Sequence, residues 1–521
     1  MRRRLLLSII PVLAVAAACT GTPTPSASGR PDNTAMVLAE PVEPASLNPL
    51  DGYAPNGAAK IFDGLYEYQA DGTLRPALAA ALPVPSADGR SWTVTVRDGI
   101  RFSDGTPLTV SDVVATYQAL LNPRFASPLR TSYSMLTSVT DVNDSTVRFG
   151  LAYPYAPFPD KLVLGIVPAT ALSTVEPVTK LPMSTEPVGT GPYTLVSWTQ
   201  GVGLVLAANP RYPAVLGGPP KVKKVTVMFV ADDQDRVTKL RNGKLDGAAV
   251  SPAQAAGFTR SNAFTVLTDH SADLRAVQLP VNGPVTGDPA IRLALNEAVD
   301  RQALVTAPLK GTGNPADTPL PAVLPEFVEP SATFKVSQEQ ARTDLLAGGW
   351  VANTSGGRAK HGVPAAFTLA YPAGDTVDAA LVTAFVADAK AIGIAVTPLA
   401  VPQTELTEHA TTDATLISTG NPFDPDLDLY PLLSTAMAGA DSTVRSALTT
   451  GRRTLDPAQR AVAYRQFQKA YIAAPTMVCL VFLDHTYVMR DNWNGYAPVT
   501  DSASQGVTWG PWWNLAQWTP R

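Results

Sequence analysis

A chain of 521 residues with a formal net charge of −4, and no basic run beyond the three arginines at positions 2–4, does not suit nucleic acid or an anionic lipid surface. Its two cysteines cannot make a disulfide framework, so stability must come from apolar cores. The length excludes one compact core, since cores stop growing at about 250 to 300 residues; two lobes are the minimum.

In chain order, the first element is an address. Arg2, Arg3 and Arg4 precede an uncharged apolar run from Leu5 to Ala18, shorter than the ~20 residues of a membrane-spanning helix, so residues 1–18 read as a secretory signal. The run ends in Ala16-Ala17-Ala18-Cys19, which resembles the lipobox of bacterial lipoproteins and implies a mature chain starting at Cys19 with lipid on its sulfur. Residues 19–35 are rich in Thr, Pro, Ser and Gly and poor in large apolar side chains, the composition of a flexible tether.

The body opens with a short strand from Ala35 to Ala39, closed by Pro41. From Gly57 to Tyr68, the spacing of Ala58, Ile61, Phe62 and Leu65 predicts a helix, followed by a turn at Asp71-Gly72. Ser91 to Arg97 alternates as a hairpin arm, and Thr109 or Ser111 is placed to cap a helix from Asp112 to Leu121. Strands are expected at Val139 to Val142, Thr146 to Leu151, Tyr193 to Trp198 and Val222 to Val230. Helices follow at Ala290 to Val299, Ser337 to Leu346, Val377 to Ile392 and Gln459 to Ile472, with strands between them at Phe367 to Ala370 and Ile394 to Leu399. Cys479 falls in the apolar run Met477 to Phe482 and reads as a small buried hydrophobe. The mixed order of strands and helices predicts an α/β protein with mixed sheets.

Several segments in this order carry a resemblance. They are Glu43-Pro44-Ala45-Ser46-Leu47-Asn48-Pro49 with Ile61 to Tyr68, then Arg75-Pro76-Ala77-Leu78-Ala79 with Gly99 to Val113. Gly189 to Leu195, Asn209-Pro210-Arg211-Tyr212, Ala290 to Arg301 and Gly420-Asn421-Pro422-Phe423-Asp424-Pro425 continue the set. Together they resemble the family 5 bacterial extracellular solute-binding proteins, receptors of dipeptide, oligopeptide and nickel-chelate ABC importers. The resemblance implies a two-lobed periplasmic-binding-protein-like fold, type II and of the large cluster C kind, whose lobes close over a ligand across two hinge crossings. It places lobe 1 at 36–280 plus 488–521, with an inserted subdomain at about 70–187, and lobe 2 at 281–487. The hinges then fall near Gln278 to Gly283 and near Thr486 to Arg490.

In peptide-binding relatives an aspartate in the segment matching Gly420 to Pro425 receives the ligand's amino terminus; here Asn421 stands there, a neutral side chain. Asn421, Phe423 and Asp424 are the candidate contacts from that segment, and Tyr53 and Asn56 those from the loop after Asn48-Pro49. Arg124 and Arg130 are candidate anion contacts. The Gly-x-Pro-aromatic-Asp-Pro form, with Tyr496-Ala497-Pro498, looks closer to the nickel-type branch, so a peptide and a metal chelate both remain open as ligands. No cofactor and no direct metal site are expected, because His270, His361, His409 and His485 show no ligand spacing. The resemblance implies an ABC permease and its ATPase as partners, a monomeric receptor outside the cytoplasm anchored by lipid on Cys19, and no enzymatic activity. A regulatory surface lipoprotein is the alternative without transport. Trp509, Trp512, Trp513 and Trp518 are expected to staple the C-terminal segment onto the first lobe.

Overall fold

The computed structural model describes residues 34–436, 441–503 and 508–521. The signal, the lipid-bearing Cys19 and all but the last residues of the tether lie outside them. From Thr34 onward the chain forms one compact unit.

Two large sheets organise that unit. The first has seven strands in the order Phe264–Asp269, His485–Arg490, Gly247–Ala249, Ala35–Glu40, Lys224–Phe229, Gly203–Ala208 and Tyr193–Thr199. Ala35–Glu40 is central and runs parallel to both neighbours. The second has six strands in the order Asn314–Pro315, Met477–Phe482, Leu274–Gln278, Ala414–Thr419, Ala366–Pro372 and Ala395–Val401. A four-stranded antiparallel sheet, built from Val84–Pro85, Ser91–Thr95, Thr146–Leu151 and Leu136–Asn143, carries the helix Val110–Leu121. That helix starts as its capping residues predict: Asp112 Oδ2 accepts from the Thr109 backbone N–H at 2.7 Å, while Oδ1 accepts from Ala169 N at 2.8 Å.

Both large sheets are covered on both faces. Met477–Phe482 is buried throughout, with Val478 and Leu480 in one apolar core and Met477, Cys479 and Phe482 in another. A strand covered on both sides reads as a continuous apolar run, which is why this segment lacks alternation. The first sheet divides the same way, Leu38 and Tyr487 facing the largest core and Ala39 and Val488 a smaller one. Trp509, Trp512 and Trp518 belong to the largest core and fix the C-terminal segment there.

The helix predicted from Gly57 to Tyr68 does not form; the segment is irregular and ends in the strand Tyr66–Tyr68. Ile61, Phe62 and Leu65 are buried as their spacing requires, but the peptide groups bond outward. Gly191 N donates to Ile61 O at 2.9 Å, Tyr193 N to Lys60 O at 2.9 Å and Ile166 N to Asp63 O at 3.0 Å. Long-range pairing replaces the helical ladder while burying the same residues.

The chain passes between the large sheets twice, through 270–273 and through 483–484. Both crossings precede the expected ones at Gln278 to Gly283 and Thr486 to Arg490. Leu274–Gln278 pairs on both sides within the second sheet, and His485–Arg490 pairs on both sides within the first. A central strand cannot itself be the crossing, so the polar breaks before each strand take that part. The two crossings are tied together: Leu483 N donates to Asp273 O at 2.9 Å and the Ser271 hydroxyl to Leu483 O.

Candidate functional site

Near the crossings, residues far apart in sequence converge. Asn48 caps the short turn Pro49–Asp51, its Oδ1 accepting from Leu50 N at 2.9 Å, and so sets the direction of the loop that carries Tyr53 and Asn56. Opposite, Gly420 follows the strand Ala414–Thr419 with φ +148°, and a Cβ there would lie 1.7 Å from the Ala272 carbonyl oxygen. Only glycine lets the two backbones pass so closely.

The loop after Gly420 meets the first lobe directly. Asn421 Nδ2 donates to Asn56 Oδ1 at 3.3 Å, and Asn421 Oδ1 accepts from Phe423 N at 2.9 Å. Phe423 stacks on Tyr68 with ring centroids 3.5 Å apart and planes 4° from parallel, and meets Trp509 edge-on at 5.0 Å. Tyr53 and Asn421 are buried and Asn56 is half-buried. The sequence-derived residues Asn56, Asn421 and Phe423 therefore meet at one place, where the loop after Gly420 touches the segments that carry Asn56 and Tyr68.

Asp424 is engaged elsewhere. The Arg460 guanidinium grips both its oxygens, at 2.8 and 2.9 Å, and Oδ1 also accepts from Asp426 N. Asp426 in turn pairs with Arg452 at 3.0 Å and accepts the Tyr155 hydroxyl at 2.7 Å. These buried pairs hold the loop's shape and its contact with the first lobe. Arg124 and Arg130 are exposed; the Ser127 hydroxyl ties their loop to Leu50 O at 2.5 Å, beside the turn that precedes Tyr53.

Sequence reasoning missed a buried set of ionisable groups around the crossings. His485 lies between two carboxylates, with Nδ1 2.9 Å from Asp501 and Nε2 3.0 Å from Asp273. Burial opposes its charging, but the hydrogen bonds to Asp273 and Asp501 outweigh burial and hold it up at about 9. Arg275 pairs with Asp273 and, at 2.8 Å, with Asp378. Tyr487 donates its hydroxyl to Asp501, and Tyr496 donates to Asp269 at 2.7 Å. Burial, reinforced by Asp501, raises Asp269 to about 6 against the pull of the Tyr496 hydrogen bond. At the end of the central strand, Glu40 is pushed up to about 8 by burial and then by Asp501. Among the described residues no group of three or more His, Cys, Asp or Glu is placed to hold a metal ion.

The comparisons with known proteins fit this geometry. The family described as "Bacterial extracellular solute-binding proteins, family 5 Middle" matches residues 73–440. The chain belongs to the family 5 bacterial extracellular solute-binding proteins. Protein XP55 of Streptomyces lividans is 43% identical over 469 residues, covering 88% of this chain and 85% of the relative. The oligopeptide-binding protein AppA of Bacillus subtilis is 28% identical over 438 residues, covering 78% and 79%. Among solved structures, NikZ of Campylobacter jejuni in complex with Ni(L-His) superposes with a TM-score of 0.84 at 25% identity, covering 94% of this chain and 99% of NikZ. This family 5 chain thus shares the mixed α/β fold of the two-domain periplasmic binding proteins. Among its described residues, no helix is long and apolar enough to cross a membrane.

Proposed function

We propose that this protein is the substrate-binding component of an ABC importer, capturing small peptides outside the membrane and delivering them to the permease. The observation that carries the reading is the interlobe closure itself, in which Asn421 reaches Asn56 and Phe423 stacks on Tyr68. Enclosure removes water, so hydrogen bonds to a trapped solute gain strength in the lower dielectric. Tyr53, Asn56 and Asn421 are the contacts we assign to the ligand, with Phe423 as a wall that closes with the lobe. Arg124 and Arg130 remain candidates for an anionic group at the rim. We assign Asp424 to the Arg460 clamp.

The protein acts by binding and not by catalysis. Both nitrogens of His485 face carboxylates and neither faces a hydroxyl or thiol nucleophile, while burial pushes the Cys479 thiol up to about 12, where it stays protonated. Residues 1–18 act as the export signal, and lipid on Cys19 anchors a monomer through the tether. The lobes divide at the two crossings, which serve as hinges. The likeness to NikZ, which holds Ni(L-His), favours a second reading in which the solute is a metal chelate.

The test is native mass spectrometry of the soluble form starting at Thr20, purified gently from its own organism and then denatured to release its cargo. Heterogeneous peptide masses are expected. A single metal-chelate isotope pattern would establish the second reading, and a cleft that is always empty and ignores peptide libraries would sink both in favour of a regulatory lipoprotein.

A further inference from the structure

Glu40 is a carboxyl group that Arg236 and Lys60 influence from nearby without bonding to it. Its residue is 7% exposed, and among the described residues its side chain makes no hydrogen bond or ion pair. The two nearest cations are both held by other acceptors. Arg236 donates to the Ala249, Val230 and Ala231 carbonyls at 2.7 to 2.8 Å and pairs with Asp233, and Lys60 Nζ donates to Ala58 O and Trp513 O at 3.2 and 2.9 Å.

Topology places this carboxylate at the edge where the sheets meet. Ala35–Glu40, Lys224–Phe229 and Gly247–Ala249 are parallel, and Phe264–Asp269 shares their direction, since both it and Gly247–Ala249 run antiparallel to His485–Arg490. Their carboxyl ends, including Glu40 and Asp269, therefore lie on the edge from which the chain crosses to the second sheet. Ligands in open α/β sheets sit beyond the carboxyl ends of the strands. Along that edge, Leu38 pairs with Gly247 and Ala39 with Ala248, so Glu40 comes level with Ala249, and Ala249 pairs with Tyr487. The small Ala249 side chain separates Glu40 from the Tyr487 phenol, which bonds Asp501. Tyr53, a ligand contact assigned above, also feels the Glu40 charge.

The charges here do not balance. His485 serves Asp273 and Asp501 together, and Arg275 serves Asp273 and Asp378; Glu40 and Asp269 are in no ion pair among the described residues. Burial raises Glu40 to about 8, so near neutral pH it keeps its proton until a positive charge arrives to stabilise the carboxylate.

We propose that Glu40 is the counter-ion for a positively charged nitrogen of the captured solute, an ammonium or a guanidinium, held at the carboxyl end of the first sheet. The inference rests on the reading of the chain as a solute receptor and names the chemical class its cleft selects. Asn421 is neutral, and Glu40 offers the negative charge from the first sheet. A nitrogen cation suits the site better than a bare metal ion, because no set of three metal-ligating side chains gathers among the described residues, whereas the Tyr53 and Tyr487 rings favour an organic cation.

The test uses the soluble chain starting at Thr20 and its Glu40→Gln and Glu40→Asp variants, read by native mass spectrometry. The probes form one equimolar panel: tri- to pentapeptides without lysine or arginine and with free amino termini, the same peptides N-acetylated, a series of non-peptide diamines, and the nickel–histidine chelate. Retention of the free-amine peptides over their acetylated forms by roughly tenfold or more is expected from the parent. Glu40→Gln loses that preference with an unchanged or raised melting temperature, and Glu40→Asp keeps part of it. Glu40-dependent capture of diamines alone would support the cation site and overturn the peptide reading. Equal retention of free and acetylated peptides, a preference that survives in Glu40→Gln, or capture of the chelate alone would overturn the cation site and leave the receptor reading standing. A parent that retains nothing from the panel would overturn both.

Discussion

His485 shows how much a single side chain depends on its position in this fold. Its ordinary value of 6.5 is raised to about 9, so the stability gained from its charged form is complete below pH 6.5 and is lost as pH rises through 9. The difference amounts to about 3 kcal/mol. The urea stability that the parent holds over His485→Gln is therefore expected to shrink between pH 6.5 and 9.5. A difference between the two that stays constant across that window would mean that the imidazolium does not link Asp273 and Asp501. Glu40 and Asp269, also raised, lose stability in the same direction, from windows that open lower. Arg460 and Arg124 make a second contrast. Arg460→Ala leaves Asp424 buried and unpaired, and its urea midpoint should fall by the equivalent of about 3 to 5 kcal/mol. Arg124→Ala, on the exposed loop, should stay within about 0.5 kcal/mol of the parent. Similar midpoints for the two variants would overturn the clamp we assign to Asp424.

Among the elements, the loop from Gly420 to Asp426 couples the lobes. Its entry depends on the close pass of Gly420 against Ala272 O. Gly420→Ala must displace one of the two backbones, at a cost of about 1 to 3 kcal/mol, and should lower the melting temperature and weaken ligand retention together. Unchanged retention would show that the loop closes without that approach. Elements were legible in the sequence where local chemistry decides them. Thr109 and Asp112 mark a helix start by their own hydrogen bonds, and the uniform run Met477–Phe482 fits a strand covered on both faces. Gly57 to Tyr68 misled because burial of Ile61, Phe62 and Leu65 has the same spacing in a helix as in a segment threaded between 163–166 and 189–193. Hydrophobic spacing reports which side chains are buried, and the bonding partners of the backbone lie more than a hundred residues away.

For the whole molecule, two sheets meet at two short crossings, and the site we propose for the solute lies beside them. The two-lobed plan was legible from length and from the ordered motifs; Asn56, Asn421 and Phe423, named as candidates from separate segments, meet in the structure. Glu40 was not legible: in Ala39-Glu40-Pro41 it reads as a charged strand end facing water, and only the parallel strands on both sides bury it. His485, Asp501 and Asp273 gather from three parts of the chain because the crossings lie side by side, which no local pattern records. The central claim is that solute is held between the lobes at the edge of both sheets. Hydrogen–deuterium exchange of the soluble form, with and without the cargo it releases on denaturation, tests this most directly. Protection on binding is expected in 48–56, 270–273, 420–424 and 483–487, all at once; protection confined to a single lobe, or none in these segments, would contradict the account.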